Sequence, residues 1–283
     1  MNQLENAQVS SSFGGLLKSW RATRKVSQLD LSLISDVSQR HVSFLESGRA
    51  RPSQQMIVQL SEALEVPLRD RNALLHAAGF APYYRERNLD DEAMAPITDA
   101  LRRMLTHHAP YSAVVVDREF NLIMDNKPFQ LLLSLFGDPK TLWEACCPSG
   151  TANLLRLTFH PHGARPLIKN FDEVGPLLLQ RAWRETLVNG GDTHEFITEL
   201  RNDSTIPDHW HTPDPTFTPP PVLSLVLGQG DIELSLFTMI STFGIPHDIT
   251  TDEIRFEAFF PGDNKTEKIL RALSEKGLQS IAP

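Results

Sequence analysis

The stretch Ser27–Pro52, SQLDLSLISDVSQRHVSFLESGRARP, carries two short helical patterns that are joined by a tight turn and followed by a basic loop. Ser27 is a good N-cap for the first helix, in which Leu31 and Ile34 are predicted to point inward. Asp36 stands at the turn, and Asp tolerates the left-handed backbone that such a turn needs. The stretch therefore predicts a helix-turn-helix.

The second helix of this pair presents a polar face. Ser38 is its predicted N-cap, and Val42 and Leu45 are predicted to face inward, so the other side chains must face outward. Amide and guanidinium groups at the exposed start of a helix suit the major groove of DNA, since Gln pairs with adenine and Arg with guanine. The predicted base-reading residues are Gln39, Arg40, Ser43 and Phe44.

Basic and polar groups flank the pair where phosphates would lie. Arg49 and Arg51 follow Gly48, which ends the second helix, and they can hold phosphates without reading sequence. Gln28 lies in the first turn of the first helix, whose N-terminus attracts anions. The predicted phosphate-binding residues are Gln28, Ser38, Arg49 and Arg51.

Three more helical patterns surround the pair, at residues 13–24, 54–64 and 68–78. Apolar residues recur at helical spacing in each of them, as Ile57, Leu60 and Leu64 do in the second. Five short helices predict a compact all-α domain. The sequence predicts the following division of the chain: a mobile tail (1–11), the helix-turn-helix domain (12–80), a linker (81–95) and a second domain (96–283).

The second domain is predicted to be α+β. After a helix that begins near Pro96, strands are expected on both sides of a mainly helical middle, and they would form a five-stranded antiparallel sheet. In the last strand, Ile254 to Phe260, apolar residues alternate with Arg255, Glu257 and Phe259, which predicts one buried face. The predicted strands are 113–116, 122–124, 222–227, 232–243 and 254–260. A Pro-rich segment, 202–221, is either a lid or an insertion.

Charge is spread unevenly over the 283 residues, whose net charge is −8. Residues 10–90 hold 11 Lys and Arg against 8 Asp and Glu, whereas residues 91–283 hold 16 against 26. The first part can approach phosphates and the second would be repelled by them. Neither a targeting signal nor a membrane span is recognisable, so a cytoplasmic protein is expected.

The spacing within residues 13–79 resembles the XRE-type helix-turn-helix domains of phage repressors and Cro. The positions that carry this resemblance are Gln28, Leu31, Val37, Ser38, Val42, Leu45, Glu46 and Gly48. Two positions depart from the usual pattern, namely Ser32, where a packed alanine is common, and Asp36, where glycine is common. The resemblance implies a DNA-binding domain with five helices.

Runs in the second part resemble the MmyB-like regulators, which are XRE proteins with a PAS-like ligand-binding domain. They are residues 83–87, 153–157, 160–163, 233–237 and 259–261. The order of two strands, helical middle and three strands is also that of a PAS-type fold. The resemblance implies a bacterial transcription regulator whose second domain holds a small molecule, such as a fatty acid or a similarly apolar metabolite.

Aromatic and polar side chains of the second domain are candidates for an effector pocket, although aromatic residues more often form a solid core. A carboxylate ligand needs one cation and a few donors, and Arg156 is the predicted anchor. The predicted pocket residues are Phe129, Trp143, Arg156, Phe159, His160, Asn170, Phe171, Trp183, Phe237, Met239 and Phe256.

The residues therefore predict a regulator that binds a palindromic operator in double-stranded DNA as a homodimer, because one reading helix covers only a half-site. Two alternatives remain: the second domain only dimerises, or it senses a metal or thiol oxidation. Histidines at 160, 162, 194, 209 and 211 and the adjacent Cys146 and Cys147 motivate the latter, but no metal-ligand spacing accompanies them. No catalytic motif, cofactor or membrane partner is predicted.

Overall fold

A computed structural model describes residues 12–188, 198–200, 203, 206–207, 210 and 221–279. The tail predicted to be mobile and most of the Pro-rich segment lie outside these residues. The described chain divides into two compact units. The first comprises residues 12–87, 184–188 and 245–252, and the second comprises the other described residues. The predicted linker is thus shared between the two units.

Five helices build the first unit, as predicted: α1 (Phe13–Thr23), α2 (Gln28–Ser35), α3 (Gln39–Glu46), α4 (Gln54–Ala63) and α5 (Leu68–Ala77). Serine side chains cap the first four, and each accepts a hydrogen bond from a backbone N–H of the first turn. The N-cap residue of α5, Pro67, makes no such bond through its side chain.

The core of this unit is apolar and closely packed. Leu31, Val42, Leu45, Ile57 and Leu60 are all at most 1% exposed. Helix α1 approaches the end of α3 so closely that a Cβ atom on Gly14 would lie 2.5 Å from the Leu45 carbonyl oxygen. These contacts hold α3 against the rest of the unit.

The prediction that Ile34 points inward is wrong. Its side chain is 58% exposed, and Leu29 and Leu33 on the same helix are exposed as well. Ser35 takes the inward position one residue later, where its hydroxyl donates to the Leu31 carbonyl. A small side chain lets α4 approach at this point, and Gln59 of α4 donates to the Ser35 carbonyl.

The second unit contains a five-stranded antiparallel sheet, as predicted. Its strands are β1 (Ala113–Val116), β2 (Leu122–Asp125), β3 (Leu225–Gln229), β4 (Ile232–Ser241) and β5 (Arg255–Pro261). Their order in the sheet is β2-β1-β5-β4-β3. The last strand therefore lies in the centre, between two antiparallel pairs.

The helices of this unit are α6 (Ala95–His107), α7 (Lys127–Ser134), α8 (Pro139–Cys146), α9 (Leu154–Phe159), α10 (Phe171–Val188) and α12 (Asn264–Gln279). No helix among the described residues is both long and apolar enough to cross a membrane. Apolar residues of α6 pack on one face of the sheet, with Leu101 and Leu105 against Val115 and Phe256.

Both faces of β5 are covered, and the prediction of a single buried face is wrong. Phe256 and Ala258 contact the α6 side, but Glu257 between them is also only 6% exposed. Because β5 is the central strand and helices lie over its second face too, the alternation separates two interior faces and not an inner from an outer one.

The connection between β4 and β5 contributes to the first unit. Residues 245–252 contain the start of a short helix, α11 (Ile249–Glu253). Ile249 is buried with Leu68 and Tyr84, and Asp248 pairs with Arg87 at 2.7 Å. The Asp252 carboxylate accepts from the backbone N–H of Leu68 at 3.0 Å. It thereby caps helix α5, which its own N-cap residue leaves uncapped.

Candidate nucleic-acid interface and ligand cavity

Helices α2 and α3 form the predicted helix-turn-helix. Ser27 and Asp30 form a reciprocal capping box at the start of α2. Asp36 ends the helix at φ 53°, ψ 30°, so the residue at the turn does adopt the left-handed conformation. Ser38 accepts from the His41 N–H and starts α3. Local side-chain chemistry thus fixes both ends of the turn.

The start of α3 is open to solvent. Gln39 and Arg40 are exposed, while Ser43 and Phe44 are half-buried. The Arg40 guanidinium lies over the Phe44 ring at 5.2 Å, and that of Arg49 lies 6.0 Å from the same ring. The aromatic face holds two cations beside each other, as cation–π attraction favours. The surface therefore presents fixed positive charge next to an exposed amide.

A buried carboxylate anchors α3 to the two helices before it. The Glu46 carboxylate accepts from Arg21 Nε at 2.6 Å and from Arg21 Nη2 at 3.1 Å. The Gln28 amide donates to Glu46 Oε2 at 2.7 Å. Burial alone would raise the pKa of Glu46, but the hydrogen bonds from Arg21 and Gln28 outweigh it and lower the pKa overall. The carboxylate is therefore ionised and holds α3 against the two helices before it.

The predicted phosphate-binding residues differ in their surroundings. Arg49 and Arg51 are exposed in the loop after α3. Ser38 serves as the cap of α3, and the Gln28 amide is engaged by Glu46. The assignment of these residues and of the base readers to DNA remains a prediction. Sequence reasoning missed the anchoring role of Arg21 and noted Glu46 only as a position of the family pattern.

A cavity of about 680 Å³ lies inside the second unit. One wall is the face of the sheet that carries Leu236, Ile240 and Phe259, and the opposite walls come from α7, α9 and α10. Nearly all the described side chains around it are apolar. Arg181 and Glu257 are the only charged residues among them, and they form an ion pair at 2.6 Å. A cavity of this size and character suits a small, mostly apolar molecule.

Three of the predicted pocket residues border this cavity, namely Phe129, Phe237 and Met239. The strand register pairs Phe237 with Phe260 and Met239 with Ala258, on the face of the sheet opposite to that of Leu236 and Ile240. The other predicted residues are not among its described lining: Trp143, Arg156, Phe159, His160, Asn170, Phe171, Trp183 and Phe256.

Two of these other residues have polar side chains that are engaged by other groups of the protein. Arg156, the predicted carboxylate anchor, pairs with Glu199 at 3.2 Å. The Asn170 side chain bonds the backbone of Ser224 and Val226 and so holds the start of β3. Their part in a pocket stays a prediction. Sequence reasoning missed Arg181 and Glu257, and the only signal for Glu257 was a carboxylate within an apolar strand.

The surroundings of the cysteines and of the described histidines bear on the alternative of a metal or thiol sensor. Cys146 and Cys147 are buried with their sulfur atoms 3.6 Å apart, and burial together with the hydrogen bond to Cys147 raises the pKa of Cys146 to about 12. A thiol with such a pKa is not a reactive thiolate at neutral pH. Within the described residues no group of three metal-ligating side chains comes together. His194, His209 and His211 lie outside those residues.

Comparison with known proteins identifies both units. A helix-turn-helix family model matches residues 17–70, and the model described as MmyB-like transcription regulator ligand binding domain matches residues 97–273. Together with the geometry of α2 and α3, these matches define a DNA-binding transcription regulator that carries a ligand-binding domain. Since the second model covers more than half of the chain, the chain belongs to the MmyB-like regulators, with an XRE-type helix-turn-helix.

No curated protein matches the chain. Among solved structures, one titled "Structure of an RNA-binding Light-Oxygen-Voltage Receptor" is 14% identical over 99% of this chain and 67% of that chain. Its TM-score is 0.26, which is too low to establish a common fold.

Proposed function

We propose that this regulator binds a palindromic operator as a homodimer and that a small apolar molecule in the cavity controls its binding. A single helix of the α3 type covers only a half-site, and two half-sites one DNA turn apart supply the affinity and specificity that an operator needs. The observation that carries the proposal is the exposed start of α3, with Gln39 and Arg40, on a helix held by the buried Glu46.

The charge of the two parts of the chain supports DNA binding through the first unit. The net charge is positive over residues 10–90 and strongly negative over residues 91–283, so the first unit is the one that DNA attracts. Arg40, Arg49 and Arg51 are all exposed around α3. The proposal gives Arg40 the role of reading a base, and Arg49 and Arg51 the role of holding phosphates.

The cavity supports control by an apolar effector. Its wall includes β4 and β5, and the chain between these strands passes through residues 245–252, which cap α5 and pack on Tyr84 in the first unit. A ligand that shifts either strand would therefore act on a segment that belongs to the DNA-binding unit. A coupling of roughly 1–3 kcal/mol is enough to change operator occupancy.

The assignment of α3 is checked by replacing Arg40 with Ala and measuring binding to a selected operator in a gel-shift series. Loss of a base contact costs about 1–3 kcal/mol, so affinity should fall by roughly 5- to 150-fold and preference should relax at one base pair. Arg102→Ala is the matched control, since Arg102 is 67% exposed on α6 and the change removes the same charge. Unchanged affinity and base preference in Arg40→Ala would exclude α3 as the reading helix.

The rival proposals give different results with the purified protein. A second domain that only dimerises contains neither a small organic molecule nor a metal, whereas an effector domain retains or accepts an apolar molecule. Native mass spectrometry of freshly purified full-length protein distinguishes an organic mass, a metal mass and an empty dimer. An empty dimer that also shows no thermal shift with a panel of apolar metabolites would exclude the effector proposal.

A further inference from the structure

We propose that the cavity selects an amphiphile with an uncharged, hydrogen-bonding head, such as an alcohol or an amide, and rejects the corresponding carboxylate. This inference rests on the proposed effector site and names the chemistry of its ligand. The feature that carries it is the ion pair between Arg181 and Glu257 in the wall of the cavity.

The pair joins opposite walls. Arg181 comes from α10 and Glu257 from β5, and an Arg181 guanidinium nitrogen lies 2.6 Å from Glu257 Oε1. The Arg181 side chain is 30% exposed and that of Glu257 is 8% exposed. The guanidinium also lies 5.9 Å from the ring of Phe120, another residue of the cavity wall. The cation is thus already engaged by the protein on two sides.

The surroundings of Glu257 make its partner hard to remove. Val114 of β1 and Ile240 of β4 are its neighbours across the sheet, and Val114 is fully buried. A ligand carboxylate could gain a cation here only by drawing Arg181 from Glu257, which would leave a buried carboxylate without its partner. Two carboxylates sharing one cation would also repel each other at close range.

An uncharged head avoids both costs. A hydroxyl can donate to the remaining acceptor capacity of the Glu257 carboxylate and accept from Arg181, and an amide can do the same. The ion pair then stays intact while the hydrocarbon chain fills the apolar part of the cavity. The charges of Arg181 and Glu257 compensate each other, and an ion pair without net charge suits a neutral head.

The experiment compares three ligands with the same ten-carbon chain, decan-1-ol, decanoate and decylamine, by isothermal titration calorimetry with the full-length protein at pH 7.5. Desolvating an unpaired charge costs enough that decan-1-ol should bind about 10-fold or more tightly than either ion. If decanoate binds most tightly, the inference is overturned while the effector role of the cavity stands. If none of the three binds, the effector proposal fails together with the inference.

Glu257→Gln provides an independent check. It keeps the shape of the side chain and removes the negative charge, so Glu257 no longer compensates the charge of Arg181 and no longer repels a ligand anion. Affinity for decanoate should rise by about 10-fold, and that for decan-1-ol should change by less than about 3-fold. Glu253→Gln is the matched control, because Glu253 forms a similarly buried pair with Arg118 at 3.1 Å and is not among the described lining residues. A decanoate affinity that rises equally in both variants would contradict the role of Glu257, and the three-ligand comparison decides the question if Glu257→Gln does not fold.

Discussion

The candidate site of the first unit lies on its surface, whereas that of the second unit lies inside its core. The helical unit carries the residues that are proposed to read bases on the outside of a closely packed core, whereas the second unit holds Arg181 and Glu257 inside, around a cavity. A surface site for DNA needs a rigid core beneath it, because the side chains that contact DNA must be held at fixed spacing. A site inside a core needs unfilled space, because a ligand bound there would take the place of core side chains. The same kind of substitution should therefore have different effects in the two units.

The largest effect is expected at Glu46, the last residue of α3, whose carboxylate holds this helix against α1 and α2. Glu46→Ala leaves Arg21 without its ion-pair partner, and breaking a buried pair in this way costs about 3–5 kcal/mol. Urea denaturation followed by circular dichroism measures the loss. Glu62→Ala is the control, since Glu62 is 64% exposed and 3.7 Å from Arg71, and it should cost less than about 1 kcal/mol.

The stability difference between the wild type and Glu46→Ala should depend on pH, with a definite sign. The folded pKa of Glu46 lies below its usual value, so its contribution is complete above the unfolded pKa and is lost as the pH falls through the folded pKa. The stability difference between the wild type and Glu46→Ala should shrink in acid. A difference that grows as the pH falls would show that the carboxylate does not stabilise the unit through its charge.

A smaller effect is expected from enlarging one leucine in each unit. Leu60 is 1% exposed in the helical core, and Leu60→Phe should cost about 1–3 kcal/mol because the core has no room for the ring. Leu178 borders the cavity, so Leu178→Phe should cost less than Leu60→Phe and should weaken ligand binding by occupying space. Equal costs from denaturation curves of the two variants would contradict the distinction between a packed and a hollow core.

The smallest effect is expected where residues 245–252 join the helical unit. Asp252→Ala removes the cap of α5 and should cost about 0.5–2 kcal/mol. Hydrogen exchange should show faster exchange of the first amides of α5. Asp263→Ala, which removes a cap from α12 in the second unit, should leave those amides unchanged. Protected α5 amides in Asp252→Ala would mean that the helix is stable without this carboxylate.

The helix-turn-helix was largely predictable from the sequence, because caps and helical periodicity are local. Ser27, Asp36 and Ser38 mark the ends of α2 and α3 in the sequence and in the structure. Ile34 was placed wrongly, since the need for a small residue at the approach of α4 favours Ser35 at the inward position. The anchor at Glu46 needs side-chain geometry from three helices, which periodicity does not contain.

The site inside the second unit was much harder to predict. The five-stranded sheet follows from local alternation, but alternation cannot tell an outer face from a second inner face, and so Glu257 was expected to lie outside the buried face. Arg181 faces the cavity because α10 lies across the cavity from the central strand, where Arg181 pairs with Glu257. Aromatic residues are common to solid cores and to cavities, and composition therefore did not separate the lining residues, such as Phe129, from others, such as Phe256.

The segment 245–252 limits how freely the DNA-binding head can be exchanged between relatives. A fragment that ends at residue 87 lacks the Asp252 cap of α5, the Asp248 partner of Arg87 and the apolar cover that Ile249 gives Leu68 and Tyr84. A chimera that joins this head to another regulator must therefore also carry residues 245–252 in the loop between β4 and β5. In this chain the DNA-binding unit thus combines segments that lie about 160 residues apart in the sequence.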